Sequence, residues 1–248
     1  MLTLVLVRHG ETEANRDGIV QGQSFDSPLT ERGRLQAAET GVALLQHDSA
    51  SYKVISSDLL RARDTSRIMI DQHIDISSPS TPTCTHDTRL REVLQGAREG
   101  LTNQHTIESA TKLFVDDPQN AGKAPPSFET HDEVVVRLVS FLKDTLGEIS
   151  SVDLPFKIII VSHGGALRLL LRILGMNGES SQNDRALALL NGSISTIHVT
   201  NTSEGQQMCV ASQLVHPELK GRWQFTSEKI GDITHLDEKN LITTRTAW

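Results

Sequence analysis

The sequence predicts an α/β fold, a three-layer α/β/α sandwich with a mostly parallel central sheet. Short runs rich in apolar and β-branched residues alternate along the chain with longer segments of helical periodicity. Such alternation favours parallel strands that are joined by crossover helices. The length of 248 residues, 37% of them hydrophobic, is sufficient to bury one large core. We therefore expect residues 1–248 to form a single domain.

The first half of the chain predicts two buried strands, each followed by a helix. Thr3 to Val7 and Tyr52 to Ile55 are the strand candidates, because both are short and rich in apolar residues. Thr30 and Asp58 are the expected N-caps of the two helices. The Ser-, Thr- and Pro-rich stretch 77–88 predicts a loop or an edge strand. The expected apolar face of the first helix consists of Leu35, Ala38, Val42 and Leu45.

The second half continues the same pattern. Thr130-His-Asp-Glu133 matches a capping box, and the helix behind it has apolar residues at helical spacing up to Ile149. Lys157 to Val161 predicts a buried strand, and the Gly164-Gly165 pair opens a further helix that ends near Gly175. Ile194 to Val199 and Met208 to Leu214 indicate late strands. Weak periodicity predicts an irregular tail over about the last thirty residues.

Charge and composition exclude several classes of partner. The chain has 24 Lys and Arg against 31 Asp and Glu, a formal net charge of −7. Nucleic acids and anionic membranes require clustered basic residues, so neither is an expected partner. The apolar run at the N-terminus is too short for a signal peptide or a membrane span. Two widely separated cysteines, Cys84 and Cys209, suit reduced thiols. We expect a cytoplasmic protein.

Polar residues follow two of the clearest strands. Thr3 to Val7 continues into Arg8-His9-Gly10, and Lys157 to Val161 continues into Ser162-His163-Gly164. Ligands of open α/β sheets bind beyond the carboxyl ends of the strands. If these two strands are neighbours, the two histidines meet at one edge of the sheet. Neutral imidazole is a good nucleophile near pH 7. The guanidinium group of an arginine can bind two phosphate oxygens at once.

Five short motifs stand in order along most of the chain. They are Arg8-His9-Gly10-Glu11-Thr12-x-x-Asn15, Pro28-Leu29-Thr30-x-x-Gly33, Ser56-Ser57-Asp58-Leu59-x-Arg61-Ala62-x-x-Thr65, Leu90-Arg91-Glu92 and Val161-Ser162-His163-Gly164-Gly165. Together they resemble the signature of the histidine phosphatase superfamily, in its phosphoglycerate-mutase-like branch. The resemblance implies a phosphoglycerate-mutase-like form of the predicted fold and a phosphatase of the histidine type.

The resemblance also implies a role in catalysis for several residues of these motifs. His9 would attack phosphorus in line and form a phosphohistidine. Arg8, Arg61 and His163 would neutralise the charge on the equatorial oxygens, which phosphoryl transfer requires. Asn15 would add a hydrogen bond to the phosphate.

The remaining candidates concern the leaving group and the substrate. Glu92 would act as general acid for the leaving oxygen and then as base for water. Gln21 and Gly22 match positions that touch substrate in relatives. Gly164 and the Asn191-Gly-Ser193 turn are expected to offer backbone N–H groups to phosphate. No cofactor is predicted, and no metal, because the sequence around His9 and His163 has no His-x-His or Asp cluster.

The branch is predicted from two further segments. Val20-Gln21-Gly22-Gln23-x-x-Asp26-x-Pro28-Leu29 resembles the fructose-2,6-bisphosphatase-like (TIGAR-like) phosphatases. The span between Glu92 and His163 lacks the adjacent Arg pair of the cofactor-dependent mutases. We therefore expect a metal-independent phosphomonoesterase that acts on small phosphorylated metabolites, such as sugar phosphates or bisphosphates.

Several alternatives stay open at this point. After Glu92 the chain has Val-Leu-Gln-Gly, where relatives often carry a basic residue and an aromatic one. Fructose 2,6-bisphosphate and a broad range of phosphate esters are therefore both possible substrates. A cofactor-dependent phosphoglycerate mutase and a protein-interaction member of the superfamily are the other candidates. The sequence is compatible with a monomer or a dimer.

Overall fold

The computed structural model describes residues 2–45, 51–72, 84–148, 155–176, 189–201, 216–219 and 223–240. Six strands are present in these ranges: β1 (Leu2–Arg8), β2 (Ser51–Ser56), β3 (Cys84–His86), β4 (Phe156–Ser162), β5 (Ile194–Asn201) and β6 (Trp223–Asp232). They form one sheet in the order β3-β2-β4-β1-β5-β6. β3, β2, β4 and β1 are parallel, whereas β5 is antiparallel to both of its neighbours. The predicted mostly parallel sheet is confirmed.

Six α-helices are present in the same ranges: α1 (Glu13–Asp17), α2 (Glu31–Leu45), α3 (Leu60–Asp71), α4 (Ile107–Asp116), α5 (His131–Glu148) and α6 (Gly164–Ile173). Short 3₁₀ turns cover Thr88–Leu90, Gly96–Arg98, Pro118–Asn120, Pro217–Leu219 and Glu238–Asn240. None of the helices in the described ranges is both long and apolar enough to span a bilayer.

The helices cover both faces of the sheet. In β1, Leu4 and Leu6 belong to an apolar cluster that contains side chains of α5 and α6. Val5 and Val7 belong to a second cluster, with side chains of α2 and α3. Successive residues of a strand point to opposite faces, so a run of apolar residues buries both sides of the strand. The predicted three-layer sandwich follows from this arrangement.

Of the apolar face predicted for α2, only Leu45 is buried. Leu35 and Val42 are 48% and 42% exposed. The other buried positions are small or polar: Gly33, Gln36, Ala37, Thr40 and Gly41. A Cβ on Gly41 would overlap the backbone of Met69 in α3. Because the two helix backbones approach so closely, there is no room for the larger side chains on that face.

The start of α3 also differs from the prediction. The Asp58 carboxylate is not the N-cap, because it accepts a hydrogen bond from Arg91 Nε at 2.8 Å. The Leu60 N–H instead donates to Asp26 Oδ2 at 2.7 Å. A carboxylate from a distant loop therefore satisfies the first turn of this helix.

Other boundaries agree in part. The capping box of α5 is confirmed, since Thr130 N donates to Glu133 Oε2 at 2.8 Å. The edge strand predicted within residues 77–88 is β3. The predicted irregular tail is wrong, because it contains β6, whose side chains are partly or fully exposed except for Phe225 and give no clear alternation. Ile149 and the strand predicted over Met208–Leu214 lie outside the described residues.

Candidate active site

The two predicted histidines meet at the carboxyl edge of the sheet. β1 and β4 are parallel neighbours, with Arg8 opposite Ser162. His9 and His163 directly follow these two residues, and their ring centroids are 5.2 Å apart. Both side chains are buried, with exposed fractions of 3% and 0%. Parallel pairing of two strands that both end in a histidine is what brings the rings together.

An open pocket of about 430 Å³ lies at this edge. Its lining includes most of the residues that the sequence predicts for the site: Arg8, His9, Asn15, Gln21, Gly22, Arg61 and Glu92. The other lining residues are Ile19, Val20, Arg98 and Asn103. Of the remaining candidates, His163 packs against His9, and a Cβ on Gly164 would lie 3.4 Å from Arg8 Cζ.

The environment of His9 fixes the tautomer of its ring and keeps the ring neutral. His9 Nδ1 lies 2.7 Å from the Gly10 carbonyl oxygen. Only an Nδ1–H can donate to that oxygen, so in the neutral ring Nε2 carries the lone pair. Burial lowers the pKa of His9 well below 6.5, and the charges of Arg61 and Arg8 lower it further. His9 is therefore a neutral imidazole at neutral pH.

Two buried guanidinium groups accompany His9. Arg8 Nη1 donates to the Leu189 carbonyl at 2.6 Å. Arg61 Nη2 donates to the Gly22 carbonyl at 2.8 Å, and Arg61 Nη1 pairs with Asp26 Oδ1 at 3.1 Å. Burial lowers the pKa of Arg8 to about 10, which keeps it charged at neutral pH. The Nε atoms of both arginines are buried and have no partner among the described residues. Such donors suit an oxyanion.

His163 is oriented by Ser57. His163 Nε2 lies 2.8 Å from Ser57 Oγ, which also accepts the Leu59 N–H at 3.3 Å. Ser57 Oγ keeps a proton and one lone pair for His163, so it can donate to Nε2 of the tautomer that carries its proton on Nδ1. Nδ1 is buried and has no partner among the described residues. Burial, followed by the charge of Arg61, lowers the pKa of His163 well below 6.5.

Asn15 is held by its side-chain oxygen. Asn15 Oδ1 accepts hydrogen bonds from Thr12 N at 3.2 Å and from Asn191 Nδ2 at 3.1 Å. These two bonds fix the orientation of the amide, with Nδ2 as its donor end. Asn15 lines the pocket, so this end suits an anionic ligand. Gln21, also in the lining, has a buried Oε1 without a partner among the described residues.

The turn at residues 191–193 is structural. Gly192 N donates to the Arg8 carbonyl at 3.1 Å, and Ser193 N donates to the Leu190 carbonyl at 3.0 Å. The expectation that these two N–H groups bind phosphate is therefore wrong. The turn instead closes around the end of β1, because Arg8 N also donates to the Ser193 carbonyl at 3.1 Å.

The Glu92 carboxylate lies at the N-terminus of α6. Its Oε1 accepts the N–H groups of Val93 at 2.9 Å and Ala166 at 3.0 Å. Its Oε2 accepts the Gly165 N–H at 3.1 Å. Each carboxyl oxygen has two lone pairs, so Oε2 retains one for a proton. Helix α6 thus fixes the position of this candidate acid.

The backbone of Glu92 is fixed by a network that the sequence analysis missed. Arg137 Nη2 donates to the Glu92 carbonyl at 3.1 Å, and Gln23 Nε2 donates to it at 2.8 Å. Arg137 Nε pairs with Glu129 Oε1 at 2.6 Å. Glu129 Oε2 in turn accepts the Leu94 N–H at 3.2 Å. These residues are far apart in the sequence, and only the fold brings them together.

Glu99 joins two loops of the pocket and was also missed. It accepts hydrogen bonds from the backbone N–H groups of Gln23, Ser24, Phe25 and Gln95. A Cβ on Gly22 would overlap this carboxylate, and Gly22 has a φ of 52°. Glu99 therefore positions the loop whose Gly22 carbonyl and Asp26 carboxylate hold Arg61. The signal in the sequence is an acidic residue next to the turn glycine Gly100.

The pocket is cationic although the protein is acidic. Its lining contains three guanidinium groups, those of Arg8, Arg61 and Arg98, and one carboxylate, that of Glu92. Asp26, which pairs with Arg61, is outside the lining. Positive charge concentrated in a concave site attracts a small anion in spite of the net charge of −7. Across the described ranges, no group of three or more His, Cys, Asp and Glu side chains is arranged to hold a metal ion.

Comparison with known proteins identifies the family. Residues 4–209 match the family model described as "Histidine phosphatase superfamily (branch 1)". The chain belongs to the histidine phosphatase superfamily. Fructose-2,6-bisphosphatase TIGAR B of Danio rerio is 31% identical over 229 residues, which are 86% of this chain and 80% of the relative. Probable phosphoglycerate mutase GpmB of Erwinia tasmaniensis is 34% identical over 247 residues, 97% of this chain and 98% of the relative.

A solved structure supports the same assignment. The native structure of a mycobacterial glucosyl-3-phosphoglycerate phosphatase superposes with a TM-score of 0.61 and 26% sequence identity. The match covers 91% of this chain and 97% of that chain. The chain thus shares its fold with this phosphatase. This member of the superfamily is an enzyme of the phosphatase type.

Proposed function

We propose that this histidine phosphatase is a metal-independent phosphomonoesterase that acts on small phosphorylated metabolites through a phosphohistidine. The observation that carries the proposal is the neutral imidazole of His9, whose Nε2 lone pair lies in a pocket with two buried guanidinium groups. A buried nucleophile beside fixed positive charge suits attack on a phosphate dianion. The guanidinium groups of Arg8 and Arg61 supply the charge that metal ions supply in other phosphoryl-transfer sites.

In the first step, His9 Nε2 forms a bond to phosphorus while the bond from phosphorus to the ester oxygen breaks. The Nε–H groups of Arg8 and Arg61 and the Nδ2 amide of Asn15 donate to the equatorial oxygens. Glu92 transfers a proton from Oε2 to the departing oxygen, which leaves as an alcohol. The supporting geometry is the second lone pair of Oε2 and its fixed position at α6.

In the second step, water attacks the phosphohistidine. Glu92, now ionised, takes a proton from the water as its oxygen bonds to phosphorus and the bond to His9 Nε2 breaks. His163 stabilises the equatorial charge in both steps by donating its Nδ1–H. Inorganic phosphate leaves, and both Glu92 and His9 return to their starting states.

The substrate class is proposed from the pocket and from the relatives. A concave pocket with a cationic lining suits a small phosphorylated metabolite. The Danio rerio relative is named a fructose-2,6-bisphosphatase and the mycobacterial one a glucosyl-3-phosphoglycerate phosphatase. We infer that this enzyme likewise hydrolyses sugar phosphates or bisphosphates, with fructose 2,6-bisphosphate as one candidate.

The decisive experiment removes the nucleophile. His9→Ala should abolish the release of phosphate from a phosphomonoester, and it should not become labelled by a ³²P substrate that labels the wild type in a rapid acid quench. His131→Ala is the matched control, because His131 is exposed at the start of α5. Full activity of His9→Ala, with both variants folded, would show that His9 is not the nucleophile.

Phosphoglycerate mutase is the second candidate function, because the Erwinia tasmaniensis relative carries that name. A mutase of this kind returns the phosphoryl group to a second substrate and needs priming by a bisphosphoglycerate. A coupled assay with and without 2,3-bisphosphoglycerate separates the two activities. We expect phosphate release without priming; isomerisation that depends on priming and exceeds hydrolysis would favour the mutase. The presence of all five catalytic candidates argues against a purely protein-binding member.

A further inference from the structure

Arg98 is a lining residue of the pocket that the proposed chemistry does not use. It ends the 3₁₀ turn Gly96–Arg98. Arg98 Nε donates to the His105 carbonyl at 2.8 Å, and Arg98 Nη1 donates to Gln95 Oε1 at 2.8 Å. These two neutral acceptors fix the plane of the guanidinium group. Within the described residues, Arg98 has no carboxylate within 4.0 Å, and Nη2 has no hydrogen-bond partner.

Other partly buried arginines of the molecule differ in this respect. Each of three has a carboxylate partner: Arg89 pairs with Asp87, Arg91 with Asp58 and Arg137 with Glu129. Arg98 is half-buried, and burial lowers its pKa without an opposing carboxylate. A partly desolvated cation without a counterion is costly unless a ligand supplies the negative charge. Because Arg98 lines the pocket, an anionic ligand in the pocket can supply this charge.

The wall around Arg98 is held in place by the backbone. Gly100 N donates to the Val20 carbonyl at 2.8 Å, and Val20 N donates to the Leu101 carbonyl at 2.8 Å. Asn103 N donates to the Gly18 carbonyl at 2.9 Å. Asn103 also lines the pocket. Two chain segments thus form a short ladder that holds polar side chains at the pocket lining.

The transferred phosphoryl group does not require Arg98. It has three equatorial oxygens, and donors for them are available on Arg8, Arg61, Asn15 and His163. Arg98, a further cationic group in the same pocket, is therefore available for a different part of the substrate. Guanidinium groups bind carboxylate and phosphate with similar geometry.

We propose that Arg98 is a specificity-determining residue, which binds a second anionic group of the substrate while Arg8 and Arg61 hold the phosphoryl group. This inference rests on the proposed phosphatase function. It specifies the substrate class further, since the preferred substrate is a phosphate ester with a carboxylate or a second phosphate. Such a substrate leaves Arg98 paired with an anion, whereas a simple monophosphate leaves it unpaired.

Two matched pairs of esters test the proposal. 3-Phosphoglycerate and glycerol 3-phosphate differ in a carboxylate, and glucose 1,6-bisphosphate and glucose 6-phosphate differ in a phosphate. We measure kcat/KM for phosphate release in wild type, Arg98→Gln and Arg98→Lys. In at least one pair the wild type should prefer the ester with the second anion, and Arg98→Gln should reduce that preference at least about tenfold. Arg98→Lys should retain part of it, because the charge remains.

Lys112→Gln is the control for the change of charge. Lys112 is exposed on α4 and is not a lining residue of the pocket, so this variant should keep the wild-type preference. Equal losses on both members of each pair in Arg98→Gln would indicate a purely structural role and overturn the proposal. An unchanged preference in both pairs would overturn it as well.

A binding measurement separates this inference from the proposed function. If the wild type releases no phosphate from any ester, the phosphatase proposal fails, whatever Arg98 does. Calorimetric Kd values for the same four esters, measured on His9→Ala with and without Arg98→Gln, then test Arg98 alone. If circular dichroism shows that Arg98→Gln does not fold, the substrate preferences of Arg98→Lys and of the wild type test the proposal instead. No preference for the second anion in wild type contradicts the proposal.

Discussion

The pocket has two parts that are built by different means. The phosphoryl site, made of Arg8, His9, Arg61 and His163, lies at strand ends and at the start of α3. The loop wall consists of segments 18–26 and 95–103. Side chains of the phosphoryl site are at most 4% exposed, whereas Arg98 and Asn103 in the wall are half-buried. The sheet positions the two histidines of the first part, and hydrogen bonds between loops determine the second part and also hold Arg61.

This difference separates chemistry from specificity. Parallel pairing of β1 and β4 fixes the two histidines regardless of what the loops contain. The loop wall depends on a single carboxylate, Glu99, and on a short backbone ladder. Loops of this kind can change in sequence without disturbing the sheet. We therefore expect variants of the phosphoryl site to lose kcat and variants of the wall to lose substrate affinity or selectivity.

The largest effect is expected in the phosphoryl site. Arg61→Gln removes a buried positive charge from the transition state and should lower kcat by about 10²- to 10³-fold. Arg67→Gln is the matched control on the same helix, since its side chain is 64% exposed. Steady-state kinetics with one phosphate ester makes the comparison. A loss in kcat of less than about tenfold in folded Arg61→Gln would contradict a direct role for Arg61.

The next largest effect is expected on stability, in the packing that supports the phosphoryl site. A Cβ on Gly33 would overlap the backbone of Glu11, so α2 contacts the loop after β1 backbone to backbone. Gly33→Ala should lower the free energy of unfolding by about 1–3 kcal/mol through overpacking. Gly147→Ala, where a Cβ meets nothing within 4 Å, should be neutral or stabilising by up to about 1 kcal/mol. Urea denaturation measures both; equal effects would refute the close contact.

A smaller effect is expected in the loop wall. Glu99→Gln places amide hydrogens against backbone N–H donors and weakens the bonds to the 23–25 segment. KM should rise by about tenfold with kcat reduced less than about threefold, because hydrogen bonds to a charged group contribute about 1.5–3 kcal/mol. Glu108→Gln, exposed on α4, is the control. A loss confined to kcat would instead show that Glu99 acts mainly through Arg61.

The smallest effect concerns the protonation of His9. Because burial and two arginine charges lower the pKa of His9, the folded protein keeps this ring neutral below pH 6.5. A histidine with a pKa of about 6.5 would be about three-quarters protonated at pH 6.0. ¹⁵N NMR of the ring at pH 6.0 should show a neutral His9 with its proton on Nδ1, and the urea-unfolded chain provides the reference. A charged His9 at pH 6.0 would contradict the proposed electrostatics.

Sequence patterns predicted the strands that are buried on both faces of the sheet better than they predicted α2 and β6. β1 and β4 are continuous apolar runs, and both were found. Most of the buried face of α2 and the strand β6 were not predicted. The first packs mainly through small and polar residues, and the second is an edge strand with one buried side chain, Phe225. Hydrophobic periodicity reports burial of large apolar side chains, and neither element depends on it.

Among the site residues, the motif blocks predicted those that touch the transferred group. Asp26, which caps α3 and pairs with Arg61, was not predicted to do either. Arg98 and Glu99 lie in one short turn that has no distinctive pattern. The partners of Arg98, Gln95 and His105, are near it in the sequence, whereas Glu99 also binds backbone N–H groups of the segment 23–25, which is 74–76 residues away. The sequence indicates a turn at Gly100, but only the fold shows that Arg98 lines the pocket and that Glu99 joins two loops.

The sequence by itself determined the alternation of strands and helices, the two histidines at strand ends and the arginines that accompany them. These features follow from local composition and short motifs, which the chain specifies directly. Only the tertiary structure decided that β1 and β4 are neighbours, that Glu92 lies at the start of α6 and that Glu99 joins two loops. Such contacts connect residues distant in sequence, and they are selected by the packing of the whole sheet and its helices.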